Sequence, residues 1–241
     1  MNRKTSLILG LTCFMVFAQV KAQISVGAKV GYQTTTLKYT GLAELIPIEM
    51  KKNDGFEAGV FAEFELGEHF SIQPELLYSE RGFKVKENLV LGLSDLGIEL
   101  PGQDILPLDD IPFNVIGRLD LNYLILPVLA KLKFGDENIK VYFNAGPEFS
   151  YAINADLGLK GQIGLPFNFK NIPVPLNNAW FEKFEAGAVV GGGLEFELEK
   201  GKFLIDARYT VGMTDLLKVP VINANVRNRG LSLSAGYAYS F

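Results

Sequence analysis

The chain of 241 residues is poor in cysteine, histidine and long apolar runs, and each scarcity excludes a class of protein. The longest apolar run, residues 7–20, is about 14 residues long, whereas a membrane-spanning helix needs roughly 18–20. Cys13 lies within this run, so the rest of the chain offers no disulfide, thiol nucleophile or cysteine-ligated metal. His69 is the only histidine and lies beside a short turn. Serine–histidine catalysis in the long loops is therefore not expected.

Residues 1–22 are predicted to be a cleavable signal peptide. Arg3 and Lys4 precede the apolar run, and small residues allow cleavage between Ala22 and Gln23. An uncleaved N-terminal anchor is the alternative, and the shortness of the run disfavours it. Three of the 23 basic residues lie in this segment, so 20 remain against 27 acidic ones. Such an acidic chain is not expected to bind nucleic acid.

Eight later segments alternate between apolar and polar residues, which is typical of β-strands. In the second segment, Phe56, Val60 and Phe64 alternate with Glu57 and Glu63. Each segment has at least the roughly nine residues that a tilted strand needs to cross a membrane. The eight segments cover residues 24–33, 56–65, 70–81, 118–134, 140–151, 183–198, 203–211 and 231–241.

The fourth segment is the least regular of the eight. We expect Leu119, Leu121, Tyr123 and Ile125 to lie on its apolar, outward side. Proline cannot donate a hydrogen bond to a neighbouring strand, so we also expect a β-bulge near Pro127.

A soluble sandwich and a membrane barrel both show alternating strands, but the lengths of the connections favour the barrel. Short turns near residues 66–68, 135–138 and 199–202 alternate with four long loops. Aromatic residues near the strand ends are typical of membrane girdles: Phe70, Phe203, Tyr209, Tyr237, Tyr239 and Phe241. We predict an all-β fold, an eight-stranded antiparallel up-and-down transmembrane barrel over residues 23–241. Its extracellular loops are expected near residues 34–55, 82–117, 154–181 and 212–227.

The polar face of the predicted strands carries both acids and bases, as the interior of a small barrel requires. We expect these side chains to form a charge network in the lumen. The predicted members are Lys29, Glu57, Glu63, Glu75, Arg81, Glu148, Glu185, Glu195, Asp206 and Arg208.

The last strand resembles the C-terminal assembly signal of outer-membrane barrels, with Tyr237, Tyr239 and Phe241 at alternating positions. Residues 55–64 and 70–79, which include Gln-Pro-Glu-Leu-Leu-Tyr-Ser, resemble the PorT-like outer-membrane β-barrel family. Leu126 departs from the glutamate that these relatives often carry before the proline of the fourth strand. The resemblance implies an eight-stranded barrel in the outer membrane of a Gram-negative bacterium. The founding member of that family is tied to protein export across this membrane.

We expect a non-enzymatic barrel without metal or cofactor, a structural or accessory component of an envelope assembly such as protein export. The alternative is a small pore or transporter for small solutes or apolar ligands. The expected partners are outer-membrane lipid, the barrel-assembly machinery, and envelope or secretion proteins that dock on apolar loops such as residues 163–176. An acidic loop with Asp109 and Asp110 could bind calcium, but its spacing matches no known loop. Gly191, Gly192 and Gly193 lie mid-strand and lack the lysine of a phosphate loop.

Overall fold

A computed structural model describes residues 23–41, 50–91, 111–163, 165–174, 176, 182–214 and 224–241. The predicted signal peptide, the acidic loop with Asp109 and Asp110 and part of each predicted long loop lie outside the described residues. None of the described residues belongs to a helix long and apolar enough to cross a membrane.

The described residues form nine β-strands, and eight of them close into one barrel. The strands are β1 Gln23–Gly41, β2 Met50–Glu65, β3 Phe70–Leu91, β4 Ile111–Gly135, β5 Ile139–Ile163, β6 Leu165–Pro173, β7 Phe184–Leu198, β8 Gly201–Gly212 and β9 Ala224–Ser240. β1 pairs with both β2 and β9, and β4 pairs with β5, so the sheet has no free edge between them. The predicted eight-stranded antiparallel barrel is therefore confirmed.

β6 stands apart from the barrel wall. It pairs with the upper part of β5, from Asp156↔Pro173 to Ile163↔Leu165, and forms a hairpin with it. The predicted loops at residues 34–55 and 154–181 are partly strand. β1, β2 and β5 continue into them beyond the membrane-spanning length, and β6 lies within the second.

The two ends of the barrel differ. The short connections, such as Leu66–His69 between β2 and β3, lie at the same end as Gln23 and Phe241. We call this end of the barrel the turn end. The opposite end, which carries the β5–β6 hairpin, is called the loop end.

Most outward-facing residues are apolar and exposed, as a lipid-facing surface requires. Val30, Phe143 and Leu233 are each about 60% exposed, and Tyr237 and Phe241 also lie outside. The side chains that alternate with them point into the lumen and are largely buried.

The expected orientation of the fourth strand is wrong. Leu121, Tyr123 and Ile125 are at most 1% exposed and face the lumen, while Leu124 and Leu126 lie outside. β4 is apolar on both faces in this region, so its own pattern cannot indicate which face is inward. Further along the same strand Lys131 and Lys133 share the inward face, and their burial among acids fixes the orientation.

The bulge expected near Pro127 is also wrong. The β4–β5 register is the same on both sides of Pro127, and it shifts between Asn122 and Tyr123, where Ile153 of β5 is the extra residue. The missing N–H of Pro127 instead interrupts the pairing with β3, which resumes at Pro74↔Val128 without a change of register.

Candidate functional site

The turn end of the lumen holds three lysines and three glutamates, which we call the turn-end cluster: Lys131, Lys133, Lys202, Glu63, Glu65 and Glu195. The Lys131 ammonium lies 2.6 Å from Glu195 and 3.1 Å from Glu63. Lys202 contacts Glu63 at 2.9 Å and Glu65 at 2.7 Å. The cluster is balanced in charge, and every member except Glu65 is almost completely buried.

Neutral groups complete the turn-end cluster. The Ser71 hydroxyl donates to Glu63 at 2.6 Å, and Lys131 donates to the Gln73 side-chain oxygen at 3.3 Å. The Lys131 ammonium also lies 4.1 Å from the centre of the Tyr142 ring, a favourable cation–π distance. Each buried ammonium therefore has several partners, which offset the cost of removing it from water.

A second layer, the middle cluster, lies above the first and contains Arg208, Glu75, Asp206 and Lys29. Arg208 donates to both oxygens of Glu75, at 2.7 and 2.9 Å, and to Asp206 at 2.9 Å. Lys29 lies 3.3 Å from Asp206, which also accepts from the Tyr142 hydroxyl at 3.0 Å. The two-oxygen contact between Arg208 and Glu75 fixes the geometry of both side chains.

The third layer, toward the loop end, has fewer ion pairs. Arg81 donates to Glu148 at 2.7 Å, and its guanidinium lies 5.7 Å from the centre of the Tyr123 ring. Glu185 has no cation within salt-bridge distance among the described residues and accepts from Tyr123 and, at 2.6 Å, from Asn228. In this layer, hydrogen bonds from uncharged side chains bind a carboxylate in addition to the one ion pair.

Several buried polar side chains are incompletely satisfied, and Glu57 and Asn144 are two of them. Glu57 is 5% exposed, and its Oε1 has no hydrogen-bond partner in the described part of the chain. Both amide atoms of Asn144 are unpartnered there as well. Buried polar atoms without partners are costly, so these positions add little stability to the barrel.

The wall of the lumen formed by β3, β4 and β5 is apolar near the loop end. Six side chains form this apolar wall, each at most 3% exposed: Leu77, Leu121, Tyr123, Ile125, Ala152 and Ala155. Phe83, Leu119, Val174 and Leu176 pack against it. The lumen is therefore charged toward the turn end and apolar along one side toward the loop end.

The model of a known family matches residues 17–218, most of the chain, and its description is "Outer membrane protein beta-barrel domain". The chain belongs to this outer-membrane β-barrel family. It is therefore an integral β-barrel of the outer membrane. No curated protein matches the chain.

Solved barrels from this membrane are similar to the chain at low sequence identity. OprG from Pseudomonas aeruginosa is 12% identical, with a TM-score of 0.47 over 90% of this chain and 95% of that one. AlkL is 12% identical, with a TM-score of 0.43 over 91% and 90% of the two chains. Ail of Yersinia pestis is 15% identical, with a TM-score of 0.39 over 90% and 99%.

The structure places all ten residues of the expected charge network inside this outer-membrane barrel, and each is at most 7% exposed. It brings them together in three layers rather than one network, and it leaves Glu57 and Glu185 outside the ion pairs of the described residues. Sequence reasoning missed Lys131, Lys133 and Lys202. Lys131 and Lys133 lie an even number of positions from Leu121, so they share its face of β4. From the sequence, that face was expected to point outward, and the two lysines were therefore not included in the lumen.

Three carboxylates of the turn-end cluster lie close enough to hold a cation. Oxygens of Glu63, Glu65 and Glu195 lie within 4.8 Å of one another. Lys131, Lys133 and Lys202 contact these same carboxylates, so the site is already neutralised. The donor set therefore suits ammonium groups and not a metal ion.

His69 lies in a cleft of about 610 Å³ at the turn end, between two short turns. Its ring stacks on Phe134 with centres 6.2 Å apart, and Glu68, Asp136 and Glu137 line the same cleft. The histidine is exposed, and no hydroxyl or thiol side chain is among the lining residues. This cleft does not have the composition of a nucleophilic site.

At the loop end, Asp54 precedes Phe56, the exposed aromatic residue at the margin of the apolar surface. A hydrogen bond from the Tyr32 hydroxyl lowers the pKa of the Asp54 carboxyl. Lys84 lies 3.9 Å from the same carboxyl and acts in the same direction. The β1–β2 pair thus carries a polar, charged rim above its apolar surface.

Proposed function

We propose that this protein is a closed, non-enzymatic barrel that anchors or assists an envelope assembly, such as protein-export machinery. The observation that carries this proposal is the filling of the lumen by the turn-end and middle clusters. Lys131, Lys202 and Arg208 project inward and meet carboxylates from strands that do not neighbour their own. Because an eight-stranded barrel has an interior just wide enough for side chains, such layers leave no aqueous path.

Conductance across planar bilayers tests whether the barrel is closed. The purified mature protein, with its heat-dependent gel shift as proof of folding, is expected to give no steps above the leak of the lipid alone. A wide-pore porin reconstituted in the same way is the positive control for detection. Steady conductance by the unmodified protein would replace the proposal with the alternative, a small pore or transporter.

A closed lumen places the activity of the protein on its surface, and the β5–β6 hairpin supplies such a surface. Phe169 is 57% exposed and Ile172 39% exposed on a strand that pairs with β5 above the barrel. Exposed apolar side chains beyond a lipid-facing surface indicate contact with another molecule. We place this hairpin on the extracellular side and assign it to a protein partner of the envelope.

Cross-linking in living cells tests the partner surface. A photoreactive amino acid next to the hairpin should yield discrete adducts with envelope proteins. Phe169→Ser with Ile172→Ser should abolish them, while Asn168→Ser on the same exposed strand should leave them unchanged. Equal adducts in all three proteins would refute the assignment of this surface.

Membrane insertion is proposed to use the last strand. Tyr237 and Tyr239 are each 45% exposed and Phe241 is 79% exposed, all on the lipid side of β9. This alternating pattern is the one that the assembly machinery is expected to bind, as the resemblance of the last strand to the C-terminal signal of outer-membrane barrels implies. Replacing Phe241 by serine should reduce the amount of folded barrel in the outer-membrane fraction, and an unchanged amount would exclude this role.

A further inference from the structure

Glu57 is an acidic side chain inside the lumen that the ion pairs leave without a counter-charge. It lies on β2, is 5% exposed, and forms no ion pair with another described residue. Its Oε1 accepts no hydrogen bond from the described part of the chain. An ionised carboxylate at this position would be buried with one oxygen unsolvated, and such burial is costly.

The charges around Glu57 already balance one another without it. Three cations act electrostatically on this carboxyl, one each from β1, β3 and β8: Lys29, Arg81 and Arg208. Each of them binds another carboxylate, at 3.3, 2.7 and 2.7 Å respectively: Asp206, Glu148 and Glu75. Glu75 also faces Glu57, and its charge repels an ionised carboxylate there. Glu57 is therefore a fourth acid beside three matched pairs.

Glu185 is the other buried acid without an ion pair among the described residues, and its surroundings differ from those of Glu57. Tyr123 and Asn228 donate hydrogen bonds to the two oxygens of Glu185. Such donors solvate a negative charge inside the barrel. Glu57 has no comparable donor at its Oε1, so it gains more than Glu185 from becoming neutral.

The space around Glu57 suits a proton and not a larger cation. The side chain packs against Gly31 of β1, where a Cβ would lie 3.1 Å from the Glu57 Cγ. Two small cavities described inside the lumen have volumes of about 10 Å³ each, and Glu57 lines neither of them. Metal ions such as calcium also need several oxygen ligands, which an isolated carboxyl does not supply.

We infer that Glu57 is a proton-binding site, which holds one proton while the barrel is folded and closed and releases it at alkaline pH. The neutral carboxyl needs no counter-charge, so the ion pairs around it keep their partners. Once ionised, Glu57 is repelled by Glu75 and competes with it for Arg208. Loss of the proton therefore weakens the middle cluster, while the turn-end cluster keeps its contacts. This switch goes beyond the proposed docking role, because it lies in the lumen and not on the β5–β6 hairpin.

Infrared spectroscopy detects the proton directly. The mature barrel is refolded in D₂O in a detergent without carbonyl groups, because a protonated carboxylic acid has a C=O band separate from carboxylate and amide bands. We expect this band at neutral pH in the unmodified protein and its loss at alkaline pH. Glu57→Gln should diminish the band, whereas Glu68→Gln, at an exposed turn, should leave it unchanged. Absence of the band in the unmodified protein, or an undiminished band in Glu57→Gln, would overturn the inference.

The pH dependence of urea unfolding gives a second readout. Above about pH 6 the glutamates of the unfolded chain are ionised. A folded barrel that holds one extra proton therefore loses stability as the pH rises. The unfolding equilibrium constant of the unmodified protein should rise by up to about tenfold more per pH unit than that of Glu57→Gln, whose amide cannot ionise.

Glu68→Gln is the matched control for the unfolding series and should keep the slope of the unmodified protein. Parallel slopes for the unmodified protein and Glu57→Gln would overturn the inference. Glutamine has nearly the shape of a protonated glutamate, so this variant should fold, and the heat-dependent gel shift checks that it does. If it does not fold, the alkaline loss of the infrared band in the unmodified protein decides.

Discussion

Replacing Glu63 by glutamine removes one negative charge from the centre of the turn-end cluster and changes the shape of the side chain very little. Glu63 lies 3.1 Å from the ammonium groups of Lys131 and Lys133 and 2.9 Å from that of Lys202. The balanced set of three cations and three anions becomes three against two. One buried ammonium charge is then left without compensation.

The expected loss follows from these distances. Coulomb's law with an effective dielectric constant of about 20 gives an attraction of about 5 kcal/mol for each contact near 3 Å, before the cost of desolvation. Desolvation offsets most of this attraction, and breaking a buried pair by removing one partner typically costs about 3–5 kcal/mol. Because barrels and other domains are stable by only about 5–15 kcal/mol, Glu63→Gln should remove a large share of the stability.

Glu57 supplies the matched control on the same strand and the same face. It is buried like Glu63, but it forms no salt bridge within the described residues, and its Oε1 is unpartnered. Glu57→Gln should therefore change stability by less than about 1 kcal/mol. Urea unfolding of the refolded barrel in lipid vesicles, followed by circular dichroism and the gel shift, measures both changes. Equal losses in the two variants would show that the ion pairs of the turn-end cluster do not determine stability.

Three further predictions use the same unfolding assay or a titration. Gly193→Val should lower stability by about 1–3 kcal/mol, because a Cβ there would lie 2.7 Å from the Tyr142 ring, whereas Gly67→Ala, with open space around it, should have little effect. Tyr142→Phe should cost about 1–3 kcal/mol by leaving Asp206 without one donor while the ring over Lys131 stays in place. Tyr32→Phe should raise the pKa of Asp54 toward its ordinary value in a carboxyl NMR titration, since the lost hydrogen bond favours the ionised form. An unchanged Asp54 pKa would contradict the hydrogen bond from Tyr32. Equal urea-unfolding midpoints for the two glycine variants would contradict the proposed crowding of Gly193 against Tyr142.

The inward and outward faces of most strands could be predicted from sequence because membrane barrels impose a strict alternation. β2 shows this clearly: Glu57, Phe61 and Glu63 are buried, while Phe56 and Val60 are exposed. The lumen and the lipid-facing surface differ in polarity along β2, so the alternation of polar and apolar residues is enough to distinguish inward from outward positions.

β4 could not be assigned in this way, because two apolar environments flank it. Leu124 and Leu126 lie exposed on the outer face, and the apolar wall contains Leu121 and Ile125 on the inner face. Only charged residues on the same strand distinguish the faces, and Lys131 and Lys133 do so near the turn end. The layers of the charge network could not be predicted from the sequence either, because they depend on which distant strands face each other across the lumen.

The distribution of polarity inside the barrel restricts where the protein can act. Toward the turn end, Lys131, Lys202 and Arg208 each form ion pairs with at least two carboxylates in the lumen. Toward the loop end, the described residues form fewer ion pairs, and one wall of the lumen is apolar. The ion pairs that stabilise the lumen therefore concentrate toward the turn end. A partner that docks on the β5–β6 hairpin should thus contact the loop end and leave the turn-end cluster intact.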